Sequence, residues 1–559
     1  MLAYNYTRLK LLVQIFLGGI QVKLIWGRFS ALFYAGLLFL VCIILSIYFS
    51  FFFFLPALIV GSLGSLGVYD SLQKKKAVLA NFPLLGRLRF MMEAIRPELR
   101  QYFWESDKDE LPYSRNQRSM VYQRSKRLLA ARPFGSDEDH YADDFNWLNH
   151  SICPTDIESD DFRVEVGDGQ RPYSVSILNI SGTSFGSLSP KAIQSLSAGA
   201  RKGGFAHNTG EGSLSKYHEA GGGDTIWQIS TGYFGCRTPN GKFDATRFHD
   251  KAILPQVKMI EIKLSQGAKP GHGGMLLAPK VTPEIADARG VKPFEDVISP
   301  HRHSEFSNPE ELLLFVSKLR ELSGGKPVGI KLCIGHPWEF IAIVKAMVQM
   351  EIFIDFVTVD GSEGGTGAAP AEFTDHLGSP LRDAIVFVDN TLRGAGLRGR
   401  VKVAGSGKIV SAYDIARICA LGADWCNMAR PFMFSLGCIQ ARDCSSGHCP
   451  TGIATMDPSR YRAVSISDRS ERVFNFQKNT RNALKELLEA AGLLHPSELT
   501  RRHIVRRLSA SKIKLAEQIY PNVEESALLN DGNINDPRLS SYWARMDKSS
   551  FSPVQRDRL

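Results

Sequence analysis

Between Tyr173 and about Phe434, short β-rich runs alternate with helical stretches, and this alternation restricts the fold more than any other feature of the chain. The β-rich runs include SVSILNI, VGIKLCIG, DFVTVDG and RVKVAGSG; the helical stretches include SPKAIQSLSAGARKG, NPEELLLFVSKLREL and SAYDIARICALGA. Strands that alternate with helices build βαβ units and a parallel sheet. Roughly 260 residues of such units match a (β/α)8 TIM barrel, whereas a dinucleotide-binding domain is about half that size. No GxGxxG stands in the strand–turn–helix setting that such a domain needs. The chain is therefore expected to be α/β, with the barrel over residues 173–435.

The second constraint lies near the N-terminus. Ser30 to Tyr69 is a stretch of 40 residues without Asp, Glu, Lys, Arg or His. A membrane helix needs about 20 apolar residues, so one span would be about twice too long. Two helices joined near Phe51 to Pro56 fit the length and put Arg28 and the Lys74, Lys75, Lys76 run on one, cytoplasmic, side. The expectation is a multi-pass anchor in the inner membrane over residues 30–73, partnered by the lipid bilayer, with the catalytic part facing the cytoplasm. A cleaved signal peptide fits poorly, because the apolar run far exceeds an h-region. Residues 1–29 form a membrane-proximal segment, in which Leu9 to Trp26 is expected along the membrane surface. Residues 74–172 are expected to be a wrapping segment of short helices and turns.

The formal net charge is +10, but Lys and Arg are spread along the chain without an aromatic-interleaved tract, so nucleic acid is not an expected partner. Nine cysteines are too few for a disulfide scaffold of 559 residues, and a reducing compartment fits. After Pro450 the chain turns helical through 459–559. SERVFNFQKNTRNALKELLEAAGL repeats apolar residues at Val473, Phe476, Ala483, Leu484, Leu487 and Leu488, with Gly492 as its stop. Arg501 to Ile519 reads as a further helix.

Chemistry is expected in the loops at the C-terminal ends of the strands. DGSEGGTGAAP, Asp360 to Pro370, follows a strand with four glycines, which leaves room for a flat ligand. GSGKIVSAYDIA, Gly405 to Ala416, follows RVKVA and leads into a helix whose positive end suits a phosphate. HNTGEGS and SQGAKPGHGG add Glu211, Lys269 and His272, with Lys263 just upstream, as charged groups among backbone that can approach a ligand. The loop 436–458 holds Cys438, Cys444 and Cys449 in C-x5-C-x4-C spacing. Three thiols followed by Pro450 suit an iron–sulfur cluster; zinc, with His448 as fourth ligand, and free thiols are the alternatives.

Taken together and in order, SFGSLS, NTGEG, IKLSQGAKPGHGG, VISPHRH, DGSEGGTGAAP, GSGKI and CIQARDCSSGHCPTGIAT resemble the flavin-binding synthase domain of the large subunit of glutamate synthase. The whole chain is similar to short, membrane-anchored FMN-binding glutamate synthase family proteins. The resemblance implies FMN at the barrel mouth and a [3Fe-4S] cluster on Cys438, Cys444 and Cys449 that passes single electrons to it. It implies that 2-oxoglutarate, a 2-oxo acid, and ammonia are converted to L-glutamate. Glu211, Lys263 and Arg289 then fall at the catalytic site, with Lys269 and Met275 also at the substrate. Ser184, Gly186, Gln266, Lys331, Gly364, Gly365, Gly405, Gly407, Lys408, Ala429 and Arg430 fall in the flavin-binding motifs.

Met275 stands where the family has Gln, and His272 where it has Glu, which removes a polar anchor for the oxo acid. No glutaminase nucleophile precedes Cys42, so ammonia is expected from solution or a partner. No pyridine-nucleotide domain is visible, so an external electron donor, a ferredoxin-like protein or a separate reductase, is expected. The same cofactors would also serve a membrane-linked amino-acid or 2-hydroxy-acid dehydrogenase, or a non-catalytic redox sensor or scaffold.

Overall fold

The structure, a computed structural model, describes residues 27–108, 111–128, 133–530, 534 and 536–553. The surface segment expected at Leu9 to Trp26 lies outside the described residues. Two compact units divide the chain, Met1–Glu110 and Leu111–Leu559.

In the first unit, α1 (Ser30–Tyr48) and α2 (Phe54–Leu72) are joined by the tight turn Phe51–Phe53. The break falls where the sequence places it, although no polar turn residue marks it. Ser50 supplies the cap instead, its Oγ accepting the Phe52 amide at 3.3 Å. Small residues let the two helices close on each other in antiparallel fashion. A Cβ on Gly61 would lie 2.8 Å from the Phe39 ring, and one on Gly67 would lie 2.8 Å from Leu32. Both helices are long and apolar enough to cross a bilayer, by length and composition. After them comes α3 (Leu85–Leu99).

The second unit is built on a closed barrel of eight parallel strands. In chain order these are β1 (Leu178–Ile180), β2 (His207–Asn208), β3 (Thr225–Ile229), β4 (Val257–Lys263), β5 (Val328–Leu332), β6 (Phe356–Asp360), β7 (Lys402–Ser406) and β8 (Trp425–Met428). Each pairs with the next, and Met428 beside Ile180 closes the ring. Every residue of β3, β5, β6 and β8 is buried, as expected of strands covered by helices on one face and filled by side chains on the other. The helices that follow the strands include α5 (Pro190–Gly203), α6 (Ala245–Ala252), α7 (Pro309–Leu322), α8 (Pro337–Met350), α9 (Leu381–Gly394), α10 (Ala412–Leu421) and α11 (Arg430–Ser435).

α12 (Ile466–Ala491) lies against α5 and the earlier helix α4 (Arg115–Ser125), burying Val473, Phe476, Leu484 and Leu488, and ends on Gly492 in left-handed conformation. Asn475 and Asn479 donate to the Ser125 and Arg124 carbonyls, which fixes α4 on it. The segment Arg501 to Ile519 is not one helix. Ile504–Ser509 and Lys512–Leu515 form an antiparallel hairpin extended by Asn146–Leu148, and only Ala516–Ile519 is helical. Pairing of the two strands across the Ala510–Ser511 turn, and of the first with Asn146–Leu148, outweighs the helix-favouring Arg and Lys.

Candidate active site

One cavity opens at the C-terminal ends of the barrel strands, where the loops after β1, β2, β4, β6, β7 and β8 meet. Of the residues singled out in the sequence, Ser184, Glu211, Lys263, Gln266, Lys269, Met275, Lys331, Gly364, Gly365, Gly407, Lys408, Ala429, Arg430 and Cys444 line it. Gly186, Arg289, Gly405, Cys438 and Cys449 do not, and each has another place.

Glu211 and Lys263 form an ion pair at 3.1 Å, with side chains 19% and 11% exposed. Glu211 sits on the turn after β2, and Lys263 ends β4. The strand Met275–Leu276 runs so close that a Cβ on Gly274 would lie 2.2 Å from the Glu211 Oε1, so a side chain there would displace the Glu211 carboxylate. Burial opposes ionisation of Glu211, but Lys263, Arg289 and Lys269 outweigh it and hold the carboxyl below the usual range. Burial pulls the Lys269 ammonium below the lysine range, only partly opposed by Glu211. Arg289, at the end of a short helix, is buried behind this pair. Its Nη2 donates to the Phe185 carbonyl at 3.1 Å, its guanidinium lies over the Phe234 ring, and burial pushes it down to about 10. It contributes field to Glu211 and does not reach the cavity wall. Gly186 packs beside it, where a Cβ would lie 3.4 Å from that Nη2.

On its other side the pair borders a smaller recess lined by Ser230, Gln266, His272 and His301, so Glu211 and Lys263 stand between two openings. Met275, 44% exposed, presents its thioether to the main cavity beside Leu276 and Leu277.

On the neighbouring strand, where it is the register partner of Lys263, Lys331 at the end of β5 lies 3.5 Å from Asp360 at the end of β6. Burial works against the Lys331 ammonium, but Asp360, Glu261 and Glu211 outweigh it and raise its pKa. Asp360 also accepts the Gly267 amide at 3.0 Å. That contact brings the SQGAK turn onto the DGSEGG loop, where a Cβ on Gly267 would lie 1.7 Å from the Gly361 oxygen. Deeper in the barrel, Glu261 is fully buried and satisfied by Asn208, Gln228 and Thr358 at 2.8, 2.6 and 2.7 Å.

The GSGK corner departs from expectation in two ways. Gly405 faces outward, where a Cβ would meet Ile418 of α10 at 2.6 Å, so it permits helix–strand packing and does not line the cavity. The start of α10 is closed by its own residues. Ser411 caps the Asp414 amide, and the Asp414 carboxylate accepts the Val410 and Ser411 amides at 3.1 and 3.0 Å. Asp414 opposes the helix dipole towards an anion, which leaves Gly407, Lys408 and Ile409 as the groups facing the cavity.

Cys438 to Pro450 forms a loop beside the mouth. Arg430 spans from the Thr366 carbonyl, 2.8 Å from Nη2, to the Cys444 Sγ, 3.8 Å from Nη1. Lys280 donates to the Cys444 carbonyl at 2.7 Å. Tyr122 and Gln440 tie the loop to the segment before the barrel, through the Cys438 and Tyr113 carbonyls at 2.6 and 3.0 Å. The three thiols lie within reach of each other's charge. Burial pushes Cys438 up to about 11, while for Cys449 the Thr451 hydroxyl and the Ala454, Thr451 and Ile453 amides outweigh burial and lower it. Among the described residues, no three His, Cys, Asp or Glu side chains converge tightly enough to hold one metal ion.

Sequence reasoning missed Lys280, Tyr113, Gln228 and Asn427, all of which line the cavity. Asn427 carried a signal, being a polar residue inside the apolar β8; its Oδ1 is buried and has no partner. Lys280 carried none.

Residues 164–494 match the family described as the conserved region in glutamate synthase. The glutamate synthase large subunit-like protein YerD of Bacillus subtilis (strain 168) is 38% identical over 482 residues, 79% of this chain and 91% of that protein. The archaeal glutamate synthase (NADPH) of Methanocaldococcus jannaschii is 36% identical over 311 residues, 56% of this chain and 58% of that protein. The glutamate synthase (NADPH) large chain of Bacillus subtilis (strain 168) is 29% identical over 355 residues, 60% of this chain and 22% of that protein.

Proposed function

The chain belongs to the glutamate synthase family, and from that premise we propose an FMN- and [3Fe-4S]-dependent oxidoreductase that reductively aminates 2-oxoglutarate to L-glutamate, held at the inner membrane with its barrel in the cytoplasm. The observation that carries this reading is one cavity holding the Glu211–Lys263 pair and Lys269 at one side and glycine backbone, Lys408 and Arg430 at the other.

These residues fit FMN. Gly364, Gly365 and Gly407 give the wall no side chains, so a flat ring system can lie against backbone, and the unpartnered Asn427 Oδ1 is free to accept from it. Lys408 and Arg430 offer charge to a phosphate. The thiol loop fits an iron–sulfur cluster by donor chemistry. It offers three sulfur ligands, amide donors around Cys449, and the cations Arg430 and Lys280 to balance anionic sulfur. Reduced FMN, when bound, supplies hydride for the imine carbon, and a [3Fe-4S] cluster, when bound, delivers electrons one at a time.

The protein's own groups do the rest. Lys269 and Lys263 offer charge to the oxo-acid carboxylates, while Arg289 acts through Glu211. Glu211, held ionised, takes the proton that the nitrogen loses as ammonia adds to the oxo carbon and returns it to the oxygen. Lys269, with its lowered pKa, gives the second proton, so that the oxygen departs as water and the iminium remains; solvent then reprotonates Lys269. Lys331 keeps positive charge beside Lys263 on the next strand. The electron donor is an external protein, ferredoxin-like or a separate reductase. The membrane reading is supported by the length and composition of α1 and α2, with Arg28 and Lys74–Lys76 at their ends.

The test is single-turnover mixing of the dithionite-reduced, anaerobically purified protein with 2-oxoglutarate and ammonium. Stoichiometric L-glutamate with flavin reoxidation is expected; bound flavin that stays reduced would reject glutamate synthesis. The exposed Met275 beside Leu276 and Leu277 favours a second reading, oxidation of a less polar amino or 2-hydroxy acid. Turnover with a quinone but not with reduced ferredoxin would select it.

A further inference from the structure

Among the described residues, the segment after α2 presents an apolar face that stays half-exposed. In α3, Leu85, Leu88, Met91, Met92 and Ile95 are between 41% and 53% exposed. Their spacing of three, six, seven and ten residues gathers them into an arc of about 120°. The wider turn Arg100–Trp104 follows directly and exposes Tyr102, Phe103 and Trp104 at 59%, 76% and 73%. Arg89, Arg96 and Arg100 fall along one edge of the arc and Arg87 along the other. From Lys74 to Arg100 there are seven basic residues and two acidic ones.

The position of α3 is fixed by the end of the hairpin. Asp70, the acid that ends the apolar run, is fully buried and accepts Arg87 Nε and Nη2 at 2.8 and 2.7 Å and the Leu84 amide at 3.3 Å. Leu84 also packs at Gly67, where a Cβ would lie 3.0 Å from it. The helix therefore starts at the foot of α2, at the level where the apolar run gives way to Lys74, Lys75 and Lys76.

We propose that α3 and the Tyr102–Trp104 turn lie in the interfacial layer of an anionic bilayer, a third membrane contact that runs along the surface. This rests on the reading of α1 and α2 as bilayer-spanning. The apolar arc enters the acyl boundary, Arg89, Arg96 and the lysine run meet anionic headgroups while Arg87 stays on Asp70, and the aromatic turn sits at headgroup depth. The occupant is lipid because the arc is continuous with the apolar run of α2 and is bordered by charge of the sign that headgroups attract.

The test uses the full chain in vesicles of phosphatidylglycerol and phosphatidylcholine, with and without bromine on the acyl chains near the carbonyl. Trp104 emission is taken as the difference between the parent and Trp104→Phe. At least twofold weaker Trp104 emission in brominated vesicles is expected. Leu88→Glu/Met92→Glu, checked for an unchanged flavin spectrum, should lose that contrast. Equal emission in both vesicles overturns the proposal, and it is the result expected if residues 1–26 or a second copy covers the arc. Alkaline carbonate separates the two readings. A parent that resists extraction yet shows no quenching loses α3 alone. A parent that is extracted loses the spanning helices, and quenching still decides α3.

Discussion

At the residue scale, the cavity holds a carboxylate surrounded by cations. Glu211 is held ionised by Lys263, Arg289 and Lys269 against burial. Glu211→Gln keeps the volume and removes the charge, so it is expected to cost about 10²-fold or more in kcat. The flavin spectrum should be unchanged, and stopped-flow reoxidation measures the loss. The pH profile follows from the two shifts. A carboxyl below its usual range stays ionised through mildly acidic pH, so its protonation should not limit kcat/KM until the pH falls below the ordinary carboxylate range. An ammonium below the lysine range loses its proton earlier as pH rises, so the alkaline limb should appear before that of a free lysine. Lys269→Met should remove the limb and raise KM, and Lys269→Arg should move it to higher pH. The roles of glycine were partly legible. A loop with four glycines announces a ligand, but the alternation of Ser406 and Gly407 around β7 does not reveal that Gly405 faces α10.

At the element scale, the barrel was legible because its strands are short, apolar and separated by helices with clear apolar faces. β2 was not, since His207 and Asn208 are two polar residues whose only role in the sheet is to bridge β1 and β3. The Arg501 to Ile519 misreading is partly of the same origin: Ile504–Ser509 pairs with the adjacent Lys512–Leu515, but its other partner, Asn146–Leu148, lies more than 350 residues away in sequence. Lys280 and Tyr113 are held beside the cavity by contacts to the cysteine loop 164 and 327 residues away in sequence. α12 was legible on its buried face, but its closeness to α5 was not. A Cβ on Gly199 would lie 2.4 Å from Val473 Cγ1 and 2.9 Å from the Ser470 carbonyl. Gly199→Ala should therefore destabilise the barrel unit by about 1–3 kcal/mol, despite the better helix propensity of Ala. A lowered urea midpoint at unchanged slope would show it.

At the scale of the whole molecule, the chain divides at Glu110 and Leu111 into a helical unit and a barrel unit that carries every residue lining the cavity. A protein beginning at Leu111 is expected to fold in solution and to copurify with FMN, which its visible spectrum would show; aggregation without flavin would mean that the first unit is needed for folding. The capped start of α10 gives the barrel a further property. Ser411 and Asp414 complete that turn from within the chain, so the corner beside Gly407 and Lys408 owes its shape to no ligand. It is a socket and not a clasp: what leaves it is expected to take no structure along, so the loaded and empty proteins should share one backbone there. Exchange at that corner is then governed by how fast the guest lets go, with no refolding step to wait for.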